Sequence, residues 1–175
     1  MTSYLGDEHL DPIFAFVAER YGRQEEVPVY RDNAEGVSKL LGVLERARMD
    51  AYYPNLLDKA AHLLIEINEG HFFSNGNKRL ALVVTTTFLI INNEHLEECP
   101  KESYRSLLSS LFPEHKECTD FPEFTSTDFA TYNLSIIIAD SGTYNLEYDI
   151  LKTRVREFLS QAIGGGATQH GPRGI

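Results

Sequence analysis

The sequence predicts an all-α protein, and three observations support that class. Apolar residues recur at helical spacing along most of its 175 residues. Residues that favour helix starts and helix ends bound these stretches. No alternating strand pattern of any length and no internal repeat is present. We therefore predict a single helical domain over residues 1–163, followed by a flexible, glycine-rich tail over residues 164–175.

The first two predicted helices begin at recognisable start residues. Asp11 and Pro12 open the first helix, because Asp can cap a helix and Pro fits its first position. Gly22 is a natural stop for it. Its apolar stripe consists of Leu10, Phe14, Val17 and Tyr21. Asp32 and Glu35 resemble a capping box for the second helix. The apolar positions of the second helix are Val37, Leu40, Leu41 and Leu44.

The third predicted helix starts at Pro54 and has two faces. The apolar side chains that we expect to face inward are Leu57, Ala60, Ala61, Leu64 and Ile67. The polar side chains that we expect to face solvent are Asp58, Lys59, His62, Glu66 and Glu69.

The segment after Gly76 is ambiguous between helix and strand. Its VVTTTFLII run is rich in β-branched residues, which are typical of strands. Its length and near-uniform apolarity favour a helix that is buried on most sides.

The remaining sequence predicts three further helices. Pro113 ends the first of them, residues 115–127 form a loop, and residues 129–139 form the second helix with Gly142 at its end. The apolar stripe of the helix before Pro113 consists of Tyr104, Leu107, Leu108 and Leu111. The apolar stripe of the last helix consists of Tyr144, Tyr148, Leu151, Val155, Phe158 and Ala162.

Composition excludes several classes of protein. The chain carries 26 acidic and 16 basic side chains and a formal charge of −10. A general nucleic-acid binder needs a basic surface, so we expect no direct nucleic-acid binding. Cys99 and Cys118 do not make a disulfide framework, and the N-terminus has no secretory signal pattern. The most apolar stretch, residues 80–91, is too short to span a bilayer, and we expect a cytoplasmic protein with no membrane association.

The stretch HFFSNGNKR, residues 71–79, is the strongest functional signal. Lys78 and Arg79 fall in what looks like the first turn of a helix, where the helix dipole disfavours cations. A bound phosphate chain would reverse that penalty, and Gly76 would let backbone N–H groups approach it closely. His71 just before the turn is able to accept a proton near neutral pH. The alternative interpretation is a plain solvated loop with an ordinary surface histidine.

This stretch resembles the signature of the Fic/Doc family, whose broad form is H-x-F-x-(D/E)-G-N-x-R. Lys78 stands where Fic enzymes usually have Gly, which looks like the death-on-curing (Doc) branch. The similarity extends to the flanking segments RDNAEGVSKLLGVLERAR and YYPNLLDKAAHLLIEINEG, and covers residues 30–93. The resemblance implies a bundle of α-helices around a central helix-loop-helix.

The resemblance also implies roles for individual residues. His71 would be the general base that deprotonates a target hydroxyl, and Phe73 would anchor the loop in the core. Gly76 and Asn77 would shape an anion hole. The nucleotide-binding set implied by the family is Phe73, Gly76, Asn77, Lys78 and Arg79.

The activity that the resemblance implies is group transfer from ATP or another nucleoside triphosphate, with Mg²⁺, to a hydroxyl of a target protein. Fic enzymes mostly transfer AMP to proteins. Doc toxins act as kinases on a threonine of elongation factor Tu, and a partner antitoxin neutralises them. We therefore expect a target protein, possibly a translation factor, and an antitoxin or other inhibitory protein as partners.

One position departs from the family pattern. The acidic residue that helps to hold Mg²⁺ is replaced by Asn75, whose neutral amide oxygen is a weaker ligand for a hard cation. The predicted metal position is therefore Asn75, with weakened binding. The second hypothesis is a catalytically degenerate Fic-fold module that binds its ligand and acts through a protein partner. The inhibitory signature of self-inhibited Fic proteins is not matched, since Arg31 stands where Ser or Thr should precede Glu35-Gly36.

A second candidate metal site is much weaker. Tetrahedral zinc is able to use two His and two Cys ligands, and the spacings here are not those of a common zinc finger. The four residues concerned are His95, Cys99, His115 and Cys118.

Overall fold

The computed structural model describes residues 1–22 and 26–164. This part of the chain forms seven α-helices and no strand, which confirms the all-α prediction. The helices are α1 (Leu10–Tyr21), α2 (Ala34–Arg46), α3 (Leu56–Glu69), α4 (Asn77–Ile91), α5 (Lys101–Leu111), α6 (Ser126–Ala139) and α7 (Tyr148–Gly164). Short 3-10 helices, Asp7–His9, Tyr30–Asp32 and Ser141–Tyr144, precede α1, α2 and α7. Among the described residues, no helix has the length and apolarity to cross a membrane.

The helices α3 and α4 form the centre of the bundle. They pack against each other, with α2, α6 and α7 against α3, and α1 and α6 against α4. The helix α5 lies on α6 and α7. This arrangement resolves the ambiguity of the segment after Gly76, because the VVTTTFLII run is part of α4 and its Val84 and Phe88 are fully buried. The predicted tail beyond Gly164 lies outside the described residues.

Two helices start at other residues than the sequence pattern predicts. The helix α1 begins at Leu10, directly after a 3-10 helix, so Asp11 lies inside the helix and does not cap it. Asp32 is still part of the 3-10 helix before α2, and Asn33 is the cap. The Asn33 side-chain oxygen accepts a hydrogen bond from Gly36 N at 2.8 Å. Asn and Asp cap equally well, and the preceding backbone turn decides which of the neighbours does so.

Similar shifts occur at two later helices. The helix α3 starts after Pro54, with the Asn55 side chain accepting from Asp58 N at 3.0 Å. The helix α6 starts earlier than predicted, because Thr125 and Asp128 form a capping box there. Tyr144 belongs to the 3-10 helix before α7 and not to α7 itself.

The predicted solvent face of α3 is wrong over its first half. Asp58, Lys59 and His62 are buried, Glu66 is half-buried and Glu69 alone of the five is exposed. The reason is the central position of α3, which neighbouring helices and the segment between α2 and α3 cover. Burial of these polar groups requires hydrogen-bond partners, because unsatisfied buried groups cost free energy.

Lys59 finds its partners at the end of α2. Its ammonium group donates to the carbonyl oxygens of Ala47 at 3.0 Å and Tyr53 at 2.7 Å, and to the Asp50 carboxylate at 2.6 Å. Ala47 is the C-cap residue of α2, where the helix dipole favours a cation. Lys59 is therefore a structural cation that joins α2 to α3.

His62 is buried in its neutral form. Its Nε2 lies 3.3 Å from the Val43 carbonyl oxygen, and its ring stacks on Tyr53 with the two centroids 4.2 Å apart. Burial lowers the pKa of His62 to about 4, because the charged imidazolium would lose its hydration.

Candidate active site

The loop between α3 and α4, residues 70–76, has two residues in the left-handed backbone region. These are His71 with a φ of 47° and Gly76 with a φ of 77°. A side chain on Gly76 would be strained, and its Cβ would lie 2.6 Å from the Tyr30 hydroxyl. The Tyr30 hydroxyl instead donates to the Gly76 carbonyl oxygen at 3.4 Å. Gly76 is therefore required by the path of the loop as well as by any ligand that approaches its backbone.

Asn77 holds the loop closed with both ends of its amide group. Phe73 N donates to the Asn77 side-chain oxygen at 3.1 Å, and the Asn77 side-chain nitrogen donates to the Phe73 carbonyl oxygen at 2.7 Å. Asn77 is buried while it makes these two bonds. Its side chain thus fixes the backbone that leads into α4.

Phe73 lies in the core beneath the loop. Its ring packs edge-on against Tyr30, with centroids 4.8 Å apart, and lies 6.4 Å from the Phe14 ring. A Cβ on Gly36 would come within 2.7 Å of the Phe73 ring, so α2 approaches the loop closely only because it has Gly there. Phe73 is 4% exposed and does not line the cavity that opens in front of the loop.

A cavity of about 820 Å³ opens in front of the loop. The end of α1, the loop, the first turns of α4, one face of α6 and the segment around residues 121–124 form its walls. This volume falls within the range of small-molecule sites in proteins. The predicted site residues that line it are His71, Asn75, Gly76, Asn77, Lys78 and Arg79.

The start of α4 is basic and has no side-chain cap. Gly76 is the N-cap residue and offers no side-chain acceptor to the N–H groups of the first turn. The other six α-helices each have an acidic residue in the first turn, whereas α4 has none there and has Lys78 and Arg79 instead. A helix start without a side-chain cap, with two cations next to a cavity, makes a favourable position for an anion.

Two guanidinium groups contact the ring of Tyr21, which lies at the end of α1. The Arg79 guanidinium carbon lies 5.3 Å from the centroid of the Tyr21 ring, and that of Arg20 lies 5.7 Å from it. Arg20 also forms an ion pair with Asp128 at 3.4 Å. Burial raises the pKa of Tyr21, so the ring remains neutral and its face attracts cations. The cation–π contact with Tyr21 orients Arg79.

Asn75 uses both polar atoms of its side chain within the protein. Its amide nitrogen donates to the Glu26 carbonyl oxygen at 3.0 Å, and its oxygen accepts from Gly76 N at 2.7 Å. The second lone pair of that oxygen is the only further ligand capacity that Asn75 has. Over residues 1–22 and 26–164, no group of three or more His, Cys, Asp or Glu side chains is arranged to hold a metal ion. The donor set therefore does not fit a Mg²⁺ ion held by protein groups alone.

The alternative zinc hypothesis is wrong for the described part of the chain. His95, Cys99, His115 and Cys118 all belong to the described part of the chain, and they do not come together as a metal-binding group. Cys99 instead interacts with Tyr104, whose pKa is raised mainly by burial. His115 packs edge-on against Tyr144, with the ring centroids 6.2 Å apart.

Several cavity residues are not among the predicted site residues. The sequence pattern assigns Tyr21 to the apolar stripe of α1 and gives no role to the aromatic residues of the 121–132 region. Glu69, which accepts from the Ser141 hydroxyl at 2.8 Å, is predicted to lie on a solvent face. Tyr148 donates to Glu66 at 2.9 Å and also lines the cavity. No local pattern marks these residues, because tertiary packing alone brings them to the loop.

The fold and the site together define an all-α domain with a cavity at a basic, uncapped helix start. Residues 5–89, just under half of the chain, match the family model described as the Fic/DOC family. This match supports a Fic-type domain in that part of the chain and does not distinguish the Doc branch. No curated protein matches the chain. No solved structure matches it either.

Proposed function

We propose that this protein is a Fic-type transferase that moves a phosphoryl or nucleotidyl group from a nucleoside triphosphate to a hydroxyl of a target protein. The observation that carries the proposal is the start of α4, where Gly76, Lys78 and Arg79 face a cavity that His71 also lines. An anion of high charge compensates the dipole conflict of these two cations. The match to the Fic/DOC family agrees with this chemistry.

Each residue of the site has a separate role in the proposed reaction. Lys78 and Arg79 bind phosphate oxygens, together with N–H groups of the first turn of α4. His71 takes the proton from the incoming hydroxyl, whose oxygen then forms a bond to phosphorus. The bond from that phosphorus to the leaving phosphate oxygen breaks, and the leaving group keeps its electron pair. Asn77 and Tyr30 act through the loop by holding its backbone.

The position of attack decides the reaction. Attack at the terminal phosphorus transfers a phosphoryl group and releases a nucleoside diphosphate, while attack at the first phosphorus transfers a nucleotidyl group and releases pyrophosphate. Lys78, in place of the usual Gly of Fic enzymes, favours the Doc-like phosphoryl transfer. On the same resemblance we propose a translation factor as target and an antitoxin or other inhibitory protein as partner.

The proposed metal is Mg²⁺, brought to the site with the triphosphate. Phosphate oxygens would supply most of its ligands, and Asn75 at most one, because both polar atoms of its side chain already make hydrogen bonds. Mg²⁺ would neutralise phosphate charge during transfer.

The test uses ATP labelled at the α or the γ phosphorus, with candidate target proteins and the purified protein. Label from the γ position on the target identifies a kinase, and label from the α position identifies nucleotidyl transfer. The His71→Ala variant is the control, since it should bind ATP and transfer nothing. Absence of label from both positions on every target, with no ATP binding, would refute the proposal.

A second candidate function is a degenerate Fic-fold module that binds its ligand and acts through a protein partner. Asn75 favours it, because a neutral side chain engaged in the loop replaces the family's acidic metal ligand. ATP binding without transfer to any target, together with capture of a partner protein, would distinguish this function from the first.

A further inference from the structure

His71 is held by its main chain and not by its side chain. Among residues 1–22 and 26–164, no group forms a hydrogen bond or ion pair with the His71 side chain, which is exposed. The His71 backbone has a φ of 47°, a region that residues other than glycine adopt rarely. The direction of the imidazole therefore depends on the groups that hold the loop backbone next to it.

Phe72, the residue after His71, is held at both its ring and its carbonyl group. The ring lies against Gly70, where it would overlap an added Cβ. The Phe72 carbonyl oxygen faces the start of α2 and accepts from the Asn33 side-chain nitrogen at 3.4 Å. An added Cβ on Gly36, in the first turn of α2, would lie 2.5 Å from the same oxygen. The start of α2 is therefore the support on which this part of the loop rests.

The start of α2 is itself anchored. The Asn33 side-chain oxygen caps α2, so one amide group joins the helix start to the loop. Arg31, in the 3-10 helix before α2, pairs with Asp7 at 2.8 Å and with Asp11 at 2.6 Å, which ties this segment to the start of α1. The apolar face of α2 is buried in the core. Because α2 has little room to move, a side chain added at Gly36 would displace the loop instead.

Two glycines of α2 differ in what lies next to them. Both are inside the helix, where glycine is less favourable than alanine. An added Cβ on Gly42 would lie 3.6 Å from the Arg46 side chain, which is an ordinary contact. At Gly36 the nearest group is a backbone carbonyl oxygen, which is not free to turn away. The close approach of the loop therefore explains the glycine at position 36 and not the one at position 42.

We infer that Gly36 and Asn33 are positioning residues for His71, because they hold the Phe72 carbonyl group and, through it, the left-handed backbone of His71. This inference rests on the proposed function, since it names what orients the proposed general base. Misplacement of a reacting group by about 1 Å costs about 10²-fold in rate. Neither Gly36 nor Asn33 lines the cavity, so ATP binding at α4 should not depend on them.

The test pairs Gly36→Ala with Gly42→Ala, the same substitution in the same helix. Transfer of label from ATP by the full-length protein gives kcat and KM, and the NMR chemical shifts of the His71 backbone report its conformation. Gly36→Ala should lower kcat by about 10²-fold, keep the KM for ATP within about twofold and move the His71 shifts. Gly42→Ala should change none of these quantities.

A second pair of variants keeps the test decisive if Gly36→Ala does not fold. Asn33→Asp retains the capping oxygen, because Asp caps a helix as well as Asn does, but it replaces the donor to the Phe72 carbonyl group with an oxygen. It should lower kcat by about fivefold at an unchanged KM for ATP, and move the His71 shifts. Asn55→Asp is the control, since Asn55 caps α3 in the same way at the end opposite the loop.

The remaining outcomes separate the inference from the proposed function. His71 shifts that stay unchanged in both Gly36→Ala and Asn33→Asp would overturn the inference, whatever the activity. A kcat that stays unchanged, or a KM for ATP that rises instead, would also overturn it, because α2 would then not act through the base. Equal losses in a variant and its control would assign the effect to the helix as a whole and overturn it too. If the unmodified protein transfers no label, the proposed function fails, and the His71 shifts alone decide whether α2 holds the loop.

Discussion

The starts of α3 and α4 differ in how their charges are satisfied. The helix α3 has a capping side chain, Asn55, an acidic residue in its first turn, Asp58, and a buried lysine, Lys59, whose ammonium group has three oxygen partners. The helix α4 has Gly76 as its N-cap, no acidic residue in its first turn, and the exposed Lys78. Within the described part of the chain, the Lys78 side chain makes no hydrogen bond or ion pair.

This difference separates a structural cation from a candidate functional one. At the α3 start, protein groups supply both the helix cap and the three oxygen partners of the Lys59 ammonium group, so no ligand is needed there. At the α4 start, Lys78 opposes the helix dipole without compensation from an ion pair. A lysine in that position costs stability until an anion binds, and such a cost is expected at functional sites.

The largest expected effect concerns the histidine that leads into α4. His71→Ala should reduce transfer by about 10²- to 10⁴-fold, because it removes the proposed general base. His71 is exposed, so the melting temperature should change little. Label transfer and thermal unfolding are measured on the same preparations. Transfer that survives at more than a few per cent would exclude His71 as the base.

The comparison of the two lysines is tested by making the same substitution in each. Lys59→Met should lower the free energy of unfolding by about 3 kcal/mol, because it leaves carbonyl oxygens of Ala47 and Tyr53 without their donor. Lys78→Met should change it by less than about 0.5 kcal/mol, or raise it slightly. Urea unfolding followed by circular dichroism measures both. A large loss of stability in Lys78→Met would contradict the contrast and assign Lys78 to the fold.

The buried histidine of α3 predicts a pH dependence of stability. His62 has a pKa of about 4 in the folded protein and about 6.5 when unfolded, so the unfolded state binds the proton more tightly. Stability should therefore fall as the pH drops from about 6.5 to about 4, by at most about 1.4 kcal/mol per pH unit. His62→Gln removes the titrating group, and its unfolding free energy should depend less on pH across that window. An unchanged slope in the variant would show that other groups cause it.

Part of this molecule was predictable because its signals are local. The loop from His71 to Arg79 is continuous in sequence, so its spacing alone brought most of the candidate site together. The burial of Lys59 was not predictable, because it depends on where the segment between α2 and α3 places the Ala47 and Tyr53 carbonyls. Periodicity describes one helix at a time and cannot show that neighbours cover both of its faces.

The far walls of the cavity were missed for the same reason. Tyr21 lies about fifty residues before the loop and the aromatic residues Phe121 and Phe124 about fifty after it, and only tertiary packing makes them neighbours. The Asn77 contacts are different, since they join residues four apart. An amide side chain four residues after a buried aromatic residue, across a glycine turn, is a local signal from which this closure of the loop was predictable.

A smaller effect concerns phosphate binding at the α4 start. Lys78→Gln should weaken tripolyphosphate binding by about tenfold, because it removes one charge-assisted contact. The loss should shrink at high salt, which screens an exposed charge. Lys39→Gln is the control, since Lys39 is an exposed lysine on α2 that pairs with Glu35 at 2.6 Å, away from the cavity. Equal effects of the two substitutions would mean that only the net charge of the protein matters.

The smallest expected effect is that of Asn75→Asp, which restores the acidic residue of the family pattern. The new carboxylate keeps the bond from Gly76 N and lies near the α4 start, where an anion is favoured by up to about 1 kcal/mol. It loses the donation to the Glu26 carbonyl, which costs about 1 kcal/mol, so stability should change little.

The metal dependence of transfer should change in Asn75→Asp, although the stability of the fold should not. If phosphate oxygens hold most of the Mg²⁺, one added carboxylate should lower the metal concentration needed for half-maximal transfer by about fivefold. Asn75→Ala loses both hydrogen bonds of the side chain and separates their contribution from the effect of charge. Tighter metal binding without transfer in Asn75→Asp would favour the binding-module function. If neither metal affinity nor transfer changes, position 75 does not face the metal, and the alignment of this loop with the family signature fails at that residue.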